Sequence, residues 1–408
     1  MRKLVLVAAL GAALTSPAAL AITSDEVNAG IQFNFANPGA RALGMGGAFL
    51  GLADDATAAY TNPAGLTILG APEVAWEYRY TGYETPFTSG GSFSVNPFNA
   101  EGLGQEIDKS GTNGLSFLSY SLPGDGWSLA VYRHELLRFD SNYTQQPISI
   151  RNTGASLPTK TTEIDTQIVN YGLSGAWKVN DRLSLGLGLV YSLFDLESNT
   201  FRQGRNFQLQ RGDDEDYTFN VGLLYQLSEQ LQLGAAYRRG GQFNYLAGNF
   251  NVQAQPLIVV DTEFNVPNMF GVGLSWRPQE NLAVGLDINW VEYSRLAEGY
   301  DDIFNAATTL EADDGVEIRL GAEYVFTQFA HPFSIRGGIW RDPDHALVAL
   351  GPGNDEDVDV DRALFRPADD EMHYSLGLGW AFERVQFDLA LDYSDNIRTV
   401  SASGVVRF

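Results

Sequence analysis

Apolar and polar residues alternate with a period of two along much of this chain. Leucine alternates with serine and glycine over residues 183–189, and similar alternation runs through residues 316–326 and 385–393. A period of two places successive side chains on opposite faces of a β-strand, so the pattern predicts strands with one apolar face. That face packs on a protein core in a sandwich and on lipid in a membrane barrel. Alternation alone leaves both architectures open.

The lengths of the connections distinguish the two architectures. Short connections such as residues 123–125 alternate with long ones such as residues 85–111 and 198–214. Short turns at one end and long loops at the other are typical of an up-and-down outer-membrane barrel, whereas a sandwich gives no reason for them. The sequence predicts an all-β protein, a 14-stranded antiparallel transmembrane β-barrel over residues 72–408. Its predicted strands are 72–84, 112–122, 126–139, 161–178, 182–197, 215–227, 231–245, 256–276, 281–295, 314–326, 333–341, 371–382, 385–394 and 397–408.

The two ends of the chain favour export to the outer membrane. A basic pair and an apolar run over residues 2–14 precede Ala19-Leu20-Ala21, which has the small residues that a signal peptidase reads. Residues 1–21 are therefore predicted to be a signal peptide cleaved after Ala21. The last residue, Phe408, is the aromatic end typical of barrel strands, and we expect the barrel-assembly machinery to recognise it. The expected location is the outer membrane of a Gram-negative bacterium.

A ring of aromatic residues is predicted at the short-turn end of the barrel. Each even-numbered strand carries one aromatic residue near the point where it ends. Amphipathic rings favour the boundary between lipid tails and headgroups, so this regularity indicates the periplasmic girdle of a barrel. The residues are Tyr120, Trp177, Tyr225, Trp276, Phe326, Phe382 and Phe408.

Composition and charge exclude several classes of protein. The 408 residues include no Cys, which removes disulfide frameworks, thiolate metal sites and Cys nucleophiles. With 26 Lys and Arg against 50 Asp and Glu the formal charge is −24, so nucleic acid is not an expected partner. The aromatic fraction of 12% and the charged fraction of 19% are unlike those of a disordered chain.

Much of the acidic excess falls in the predicted outer loops, above all in residues 342–371. The cluster Asp355-Glu356-Asp357 with Asp359 and Asp361 lacks the Gly placement and the terminal Glu of an EF-hand calcium loop. We therefore expect no dedicated metal site. The cluster is predicted to be a solvated rim, which divalent cations bridge to lipopolysaccharide phosphates.

Residues 22–71 do not follow the barrel pattern. They are rich in Gly and Ala, carry little charge and contain no convincing long strand. Such a segment ahead of a closed barrel belongs either inside its lumen or in the periplasm as a small domain. The low charge favours the lumen, so an N-terminal hatch, or plug, is predicted over residues 22–71.

Two runs in this segment resemble the hatch of a known transporter family. They are PGARALGMGGAF at residues 38–49 and ADDATAAYTNPAGL at residues 53–66. Both are similar to the hatch of the outer-membrane long-chain fatty-acid and hydrocarbon transporters, the OMPP1/FadL/TodX family. The resemblance implies a barrel of fourteen strands around an N-terminal hatch, which agrees with the strand count from alternation.

The resemblance also implies a path for a hydrophobic ligand. Family members bind the ligand from the outer surface, pass it to an interior pocket near the N-terminus and release it sideways where the third strand is kinked. Asn62, Pro63 and Ala64 match the hatch motif of the family, and Phe33 and Phe35 belong to the segment beside the pocket. The implied partner is a long-chain fatty acid or another hydrophobic small molecule.

The third strand has a polar residue where its pattern calls for an apolar one. Alternation over residues 129–135 fails at Arg133, which would face lipid at a cost of about 2–4 kcal/mol near the midplane. A kink or bulge that re-aims this side chain removes the cost. We therefore predict that the third strand is broken at Arg133 and His134.

A fatty acid needs an apolar tunnel and one or two buried donors for its carboxylate. Arg319 and Arg336 are the predicted carboxylate ligands, because a guanidinium offers a bidentate fork. An alternative stays open, in which both arginines form a ladder with acids such as Glu317, Glu323 and Asp388 and only brace the barrel.

The predicted function is uptake of long-chain fatty acids by diffusion through a monomeric plugged barrel, with lateral release and no cofactor or metal. The alternatives are an aromatic hydrocarbon transporter and a hatch-containing structural or scaffold barrel with no transport role. An enzyme is not expected, because none of the four His residues stands in a recognisable nucleophile motif.

Overall fold

The strands form one closed antiparallel barrel, as the alternation predicts. The computed structural model describes residue 35 and residues 37–95, 97–202, 205–250, 256–298, 309–352, 356–365 and 367–408. Fourteen strands surround the lumen in this part of the chain, and two of them consist of two halves. They are β1 (Glu73–Phe93), β2 (Leu103–Pro123), β3 (Trp127–Gln145), β4 (Lys160–Lys178), β5 (Leu183–Arg202), β6 (Arg205–Ser228), β7 (Leu231–Arg238 and Gln242–Phe250), β8 (Pro256–Asn265 and Met269–Gln279), β9 (Leu282–Val291), β10 (Gly315–Phe326), β11 (Phe333–Asp342), β12 (Glu371–Ala381), β13 (Val385–Tyr393) and β14 (Ile397–Arg407).

The barrel closes because its first strand pairs with its last. Glu73 of β1 lies opposite Ser121 of β2 on one side and opposite Arg407 of β14 on the other. A closed sheet leaves no edge strand with unpaired backbone groups, and lipid offers such groups no hydrogen-bond partner. Closure therefore suits this sheet to a membrane.

The alternation separates a lipid face from a lumen face. Leu189 of β5 is 61% exposed on the outside, whereas Ser174 and Asp388 are buried inside. Polar side chains on the inward positions can hydrogen-bond one another or the contents of the lumen, so the apolar positions are left for lipid. The predicted aromatic ring also lies on the outer surface, with Trp177 45% and Phe408 66% exposed.

Two of the predicted outer loops are largely strand extensions instead. β1 runs to Phe93 and β2 begins at Leu103, so most of the predicted loop 85–111 is paired backbone. The predicted loop 198–214 is likewise mainly the outer part of β5 and β6. Beyond the membrane the outward face of a strand meets water instead of lipid, so the apolar alternation that marks a strand fades while its hydrogen bonds continue.

Short elements accompany the outer ends of the strands. Thr309–Glu311 pairs with Val348–Leu350, and Ile148–Ile150 pairs with Ala155–Leu157. A helix spans Glu356–Leu364. Leu310, Ala349 and Phe365 from these elements are buried against the aromatic interior of the barrel.

Residues 37–71, called the hatch segment below, lie in the lumen toward the short-turn end. The segment contains the short helices Ala40–Gly44 and Ala58–Thr61 and the 3-10 helix Pro63–Ile68. Its residues are buried almost throughout. Among the described helices, none has the length and apolar character needed to cross a membrane.

Glycines on the inward faces of the strands make room for the hatch segment. A Cβ added at Gly338 of β11 would lie 2.2 Å from the backbone nitrogen of Gly46, and one at Gly234 of β7 would lie 2.2 Å from the carbonyl oxygen of Leu50. Such distances are far inside van der Waals contact, so both positions require Gly. Contact with the hatch segment therefore explains part of the glycine excess.

Residues 1–34 lie outside the described residues. The signal peptide over residues 1–21, its cleavage after Ala21 and the start of the hatch at residue 22 therefore stay predictions. Phe33 lies in the same part of the chain, so its predicted place beside a pocket also stays a prediction.

Candidate ligand pathway

The outer half of β3 leaves the barrel wall and turns into the lumen. β3 pairs with β2 from Ser128 to His134. Beyond His134 these two fully described strands share no backbone pairing, and a side-chain hydrogen bond from Ser141 Oγ to Asp108 Oδ2 at 2.6 Å links them. The outer half of β3 contacts β1 instead, since Gln145 Nε2 donates to the carbonyl oxygen of Thr88 at 2.7 Å. A register shift at Leu136 marks the bend. The strand therefore reaches past β2.

The gap that the bend leaves in the wall, between residues 103–116 and 135–145, is called the β2–β3 opening below. The sequence predicts a break at Arg133 and His134, whereas the structure has a bulge at Leu136 in a continuous strand. A bulge adds one residue to one strand and bends that strand without ending its hydrogen bonds. The gap is therefore made by a bend and not by a break in the strand.

Arg133 and His134 lie on opposite faces of β3 next to the bend. The guanidinium of Arg133 donates to the carbonyl oxygen of Leu115 and lies 3.4 Å from Glu135 Oε2. His134 is fully buried, with its ring centroid 4.0 Å from that of Tyr60 in the hatch segment. Arg133 therefore has partners on the outer side, and His134 joins the bend to the hatch segment.

Aromatic and aliphatic side chains fill the outer half of the lumen, above the hatch segment. The ring of Phe194 stacks on those of Phe243 and Phe264, at centroid distances of 5.0 and 5.2 Å. Phe35 packs in the same cluster. Surroundings of this kind suit an acyl chain or a hydrocarbon, because such ligands bring no polar group that needs a partner. We call this region the apolar chamber; its members include Tyr83, Phe87, Leu136, Phe139, Tyr143, Ile168, Phe194, Phe243, Phe264, Val266 and Met269.

A small cavity lies between the apolar chamber, the hatch segment and the barrel wall. Its lining includes Phe35, Tyr60, Leu136 and Pro267. The described lining also holds two cations, Arg238 and its exposed neighbour on β7, and contains no acidic residue. The electrostatic character of this cavity is therefore positive.

Arg238 is a buried cation without an acidic partner. It is 6% exposed, and none of the ion pairs among the described residues includes it. The guanidinium donates to the carbonyl oxygens of Phe35 and Thr61 at 3.0 Å and to Asn37 Oδ1 at 2.9 Å, while its Nε has no hydrogen-bond partner. It lies 4.3 Å from the centre of the Tyr60 ring. Neutral acceptors compensate a buried charge only in part, so this position favours an anionic group.

Arg319 and Arg336, the predicted carboxylate ligands, are both ion-paired. Arg319 lies 3.0 Å from Glu317, and Arg336 lies 2.7 Å from Glu323 and 2.8 Å from Asp388. These ion pairs are the ones expected if both arginines only brace the barrel, which is the alternative that the sequence leaves open. A ligand role for either arginine stays a prediction, and it would require the ligand to displace a buried carboxylate.

The ladder extends into the hatch segment. Arg41 lies 2.8 Å from Glu323, the residue that also holds Arg336. One carboxylate oxygen of Asp287 on β9 accepts the backbone N–H groups of Phe49 and Leu50, at 2.7 and 2.8 Å. Buried acids and arginines therefore anchor the hatch segment to neighbouring strands of the wall.

The predicted hatch motif, Asn62, Pro63 and Ala64, lies against the opposite wall. Asn62 Nδ2 donates to the carbonyl oxygens of Leu50 and Leu223, both at 3.0 Å, and Asn62 Oδ1 accepts from the Ala64 nitrogen at 3.3 Å. Pro63 begins the 3-10 helix, where its missing N–H has no consequence. The motif therefore joins two turns of the hatch segment to β6.

Comparison with known proteins identifies the family. The family model described as outer membrane protein transport protein (OMPP1/FadL/TodX) matches residues 19–401. The chain belongs to this family. A long-chain fatty acid transport protein of Escherichia coli O6:H1 is 22% identical, over 91% of this chain and 88% of its own length.

Solved structures share the fold of this family member. A FadL homologue of Pseudomonas aeruginosa matches 93% of this chain and 99% of its own, at a TM-score of 0.66 and 14% identity. The toluene transporter TodX of Pseudomonas putida matches 91% and 99%, at a TM-score of 0.59 and 12% identity. The chain is thus an outer-membrane transporter of hydrophobic small molecules in a Gram-negative bacterium. Its preferred substrate must be inferred from its own residues.

A second cavity of this transporter is polar. Its lining includes Arg79, Glu135, Arg319, Asp342 and His373. Charged groups keep water close, so this space is less suited to a hydrocarbon than the apolar chamber.

Histidines in this transporter take part in packing. His373 Nδ1 lies 2.6 Å from Asp392, and the ring stacks on Trp340 at 3.8 Å. His345 stacks on Tyr293 at 4.4 Å. These rings are therefore held by aromatic stacking and, for His373, by a carboxylate.

The acidic outer rim includes groups with partners of their own. Asp359 pairs with an arginine of its own helix at 3.5 Å, and Asp355 lies outside the described residues. A hydrogen bond from the Asp344 backbone and the guanidinium of Arg341 lower the pKa of Asp370 from its ordinary value. The described residues hold no cluster with the make-up of a metal site.

Sequence reasoning missed Arg238, although its position carried a signal. Arg238 lies opposite Asn220 of β6 and Met269 of β8, whereas Arg319 lies opposite Asp287 of β9. Directly opposite residues on the same face of a sheet are close enough to interact. An inward-facing arginine with two neutral neighbours therefore has no acidic partner directly opposite it on either strand.

Proposed function

We propose that this transporter carries long-chain fatty acids, with the carboxylate held at Arg238 and the acyl chain in the apolar chamber. The observation that carries the proposal is the buried guanidinium of Arg238, which has no acidic partner. A fatty-acid carboxylate would supply the missing charge and accept hydrogen bonds from the fork. A neutral hydrocarbon would leave the charge uncompensated. The site therefore favours an anionic amphiphile over toluene.

The proposed path runs from the outer surface through the apolar chamber and leaves the barrel at the β2–β3 opening. Leu136, at the bulge of β3, belongs to the apolar chamber and also lines the cavity that contains Arg238. Phe35, on the N-terminal side, likewise belongs to the apolar chamber and lines this cavity. A ligand that moves between apolar surfaces by diffusion needs no cofactor.

Further expectations accompany the proposal. We expect a monomer whose exposed Phe408 is recognised during barrel assembly and whose acidic rim meets lipopolysaccharide. Phe408 is 66% exposed at the end of β14, which leaves it accessible to a partner. The family assignment favours transport over a purely structural barrel.

Replacing Arg238 tests the proposed carboxylate site. Arg238→Gln should weaken oleate binding by about 10- to 100-fold, because a hydrogen bond to a charged group contributes about 1.5–3 kcal/mol. Toluene binding should be unchanged, since toluene makes no use of the charge. Isothermal titration of the purified protein in mild detergent measures both affinities. Arg182→Gln removes a positive charge from an exposed turn and is the matched control.

A second variant keeps Arg238 and gives its guanidinium an acidic partner from the protein itself. Asn220 lies opposite Arg238, so Asn220→Asp places a carboxylate beside the guanidinium and should also weaken oleate binding. Heat-modifiable migration on a gel checks that each variant folds as a barrel. If both folded variants bind oleate as tightly as the wild type, Arg238 does not hold the carboxylate.

A further inference from the structure

A second interruption of the barrel wall lies between β6 and β7. Strand pairing lapses over residues 212–219 of β6 and 239–245 of β7, all of which the structure describes. One main-chain hydrogen bond crosses this stretch, from the Arg239 nitrogen to the Phe219 oxygen at 3.0 Å. Pairing resumes farther out. We call this interruption the β6–β7 opening.

Carboxylates replace backbone carbonyls across the β6–β7 opening. The backbone nitrogen of Gln242 donates to Asp216 Oδ2 at 3.0 Å, and that of Asn244 donates to Asp214 Oδ2 at 2.6 Å. Each donor on β7 is thus satisfied by a side chain of β6, as buried or lipid-adjacent N–H groups require. The two strands therefore stand apart by about the length of a side chain.

The outer half of β7 turns into the lumen in the same way as that of β3. The ring of Phe243 stacks on that of Phe194 at 5.0 Å, so β7 reaches past β6 to β5. Gly240 permits the bend, because a Cβ there would lie 2.0 Å from the carbonyl oxygen of Val266. β8 is interrupted at the same level, where the Val266 nitrogen donates to Gly241 at 2.9 Å. The two strands therefore bend together.

The cavity that contains Arg238 extends to the β6–β7 opening. Phe219, Gly240 and Pro267 line it at the wall, and Phe35 and Tyr60 line it at the hatch segment. Phe219 also faces outward and is 36% exposed. Phe219 therefore lies at the wall between the interior cavity and the outer surface of the barrel.

Aromatic side chains mark the level of the opening in the membrane. Tyr217 is 68% exposed on β6, and its ring centroid lies 5.0 Å from that of Tyr191 on β5. Exposed aromatic rings on a barrel are typical of the boundary between lipid tails and headgroups. Because these residues lie toward the long-loop side of the barrel, the boundary is that of the outer leaflet.

We propose that the β6–β7 opening is a second lateral passage, through which apolar ligand moves between the outer leaflet and the interior cavity. A ligand on this route meets Phe219 at the wall and Leu136 in the cavity, so its apolar surface need not return to water. The passage is distinct from the β2–β3 opening, which lies on other strands. It requires only an apolar ligand and does not depend on a carboxylate.

A single bulky label at the wall tests this passage. The chain has no Cys, so Phe219→Cys can be modified alone in the folded barrel by a large methanethiosulfonate reagent. Modification should lower the uptake of radiolabelled oleate or toluene by cells about tenfold, which corresponds to about 1.4 kcal/mol in the barrier. Reduction with dithiothreitol should restore uptake. Tyr217→Cys, which faces lipid two residues away and does not line the cavity, is the matched control and should transport normally when labelled.

Three results would overturn the proposal. They are unchanged uptake with Phe219→Cys fully labelled, equal loss from both labelled variants, and loss only when a label is placed at Leu115→Cys beside the β2–β3 opening. Thr218→Trp fills the cavity side of the opening without a reagent and gives an independent measurement. Normal uptake by folded Thr218→Trp would also contradict a passage at this site.

Discussion

Inward-facing arginines in this barrel differ in the residue that lies opposite them on the neighbouring strand. Arg336 lies opposite Glu323 and is held by Glu323 and Asp388, so its charge is used within the protein. Arg238 lies opposite Asn220 and has only neutral acceptors. A buried charge with a partner stabilises the wall and the hatch segment, whereas a buried charge without one favours a ligand. The neighbours of each arginine therefore decide its role.

Removal of Arg336 should destabilise the barrel. Arg336→Met leaves Asp388 buried without its cation and Glu323 with Arg41 alone, and a broken buried pair costs about 3–5 kcal/mol. Reversible urea unfolding in lipid vesicles measures the free energy of unfolding. Oleate affinity of the folded variant should stay close to that of the wild type.

An exposed arginine provides the comparison for this variant. Arg277 is 48% exposed and pairs with Asp54, so Arg277→Met should lower the free energy of unfolding by about 1 kcal/mol or less. Equal unfolding free energies for Arg336→Met and Arg277→Met would show that the ladder does not brace the barrel. A large loss of oleate affinity with Arg336→Met would favour the predicted ligand role of this arginine.

At the scale of the single element, the bent strands β3 and β7 control access to the lumen. β3 bends at a bulge and β7 bends at a pair of glycines, and each then packs on the strand beyond its neighbour. β3 continues through its bend, and β7 stops at Arg238 and resumes at Gln242. The barrel therefore remains closed while its wall has a gap on one side of each bent strand. One extra residue in β3 and a pair of glycines in β7 therefore each open a route between the lumen and lipid.

Deleting Leu136 should close the β2–β3 opening. The deletion removes the extra residue of the bulge, which lets the outer half of β3 pair with β2 instead of entering the lumen. Uptake that depends on this opening should fall about tenfold, equivalent to about 1.4 kcal/mol in the barrier. Uptake of radiolabelled oleate by cells measures the effect.

Leu136→Ala is the control for this deletion, because it keeps the bulge and shortens only the side chain. It should retain most of the uptake lost by the deletion. Wild-type uptake by the folded deletion variant would show that ligand does not depend on the β2–β3 opening.

In the whole molecule, the barrel wall is built around the hatch segment, and the two are in contact. Inward-facing glycines such as Gly234 and Gly338 bring the wall against the backbone of the hatch segment, and buried acids such as Asp287 bind its N–H groups. The hatch segment therefore acts as the core of the barrel toward the short-turn end. Its removal from the wall should open the lumen to ions.

A leucine in the wall should displace the hatch segment. Gly234→Leu would place a side chain where the carbonyl group of Leu50 lies, so the variant should show steady ion conductance in planar bilayers that the wild type lacks. Gly175→Leu makes the same exchange on the lipid face, where the nearest contact of a new Cβ is a leucine methyl group at 3.4 Å, and should conduct like the wild type. Equal conductance of both variants would contradict the role of the hatch segment as a plug.

The limits of sequence reasoning lie in the outer strands and in the choice of arginine. The loops predicted at residues 85–111 and 198–214 are largely strands. Their outward faces meet water instead of lipid, so the sequence shows no apolar alternation there. Arg319 and Arg336 face the lumen as the alternation predicts. The ion pairs of Arg336 depend on the register between neighbouring strands, which the spacing of residues along one strand does not contain.

The sequence by itself determined the number of strands, the face that each presents to lipid and the family to which the chain belongs. The strands and their faces follow because a membrane barrel repeats one local rule, an apolar residue at every second position, on every strand. The family follows from the two hatch runs at residues 38–49 and 53–66. Only the tertiary structure decided that Arg238 is left without an acidic partner and that β3 and β7 both turn into the lumen. Those features depend on contacts between residues far apart in the chain, where the register of strands and the position of the hatch segment decide which charge is compensated and where the wall opens.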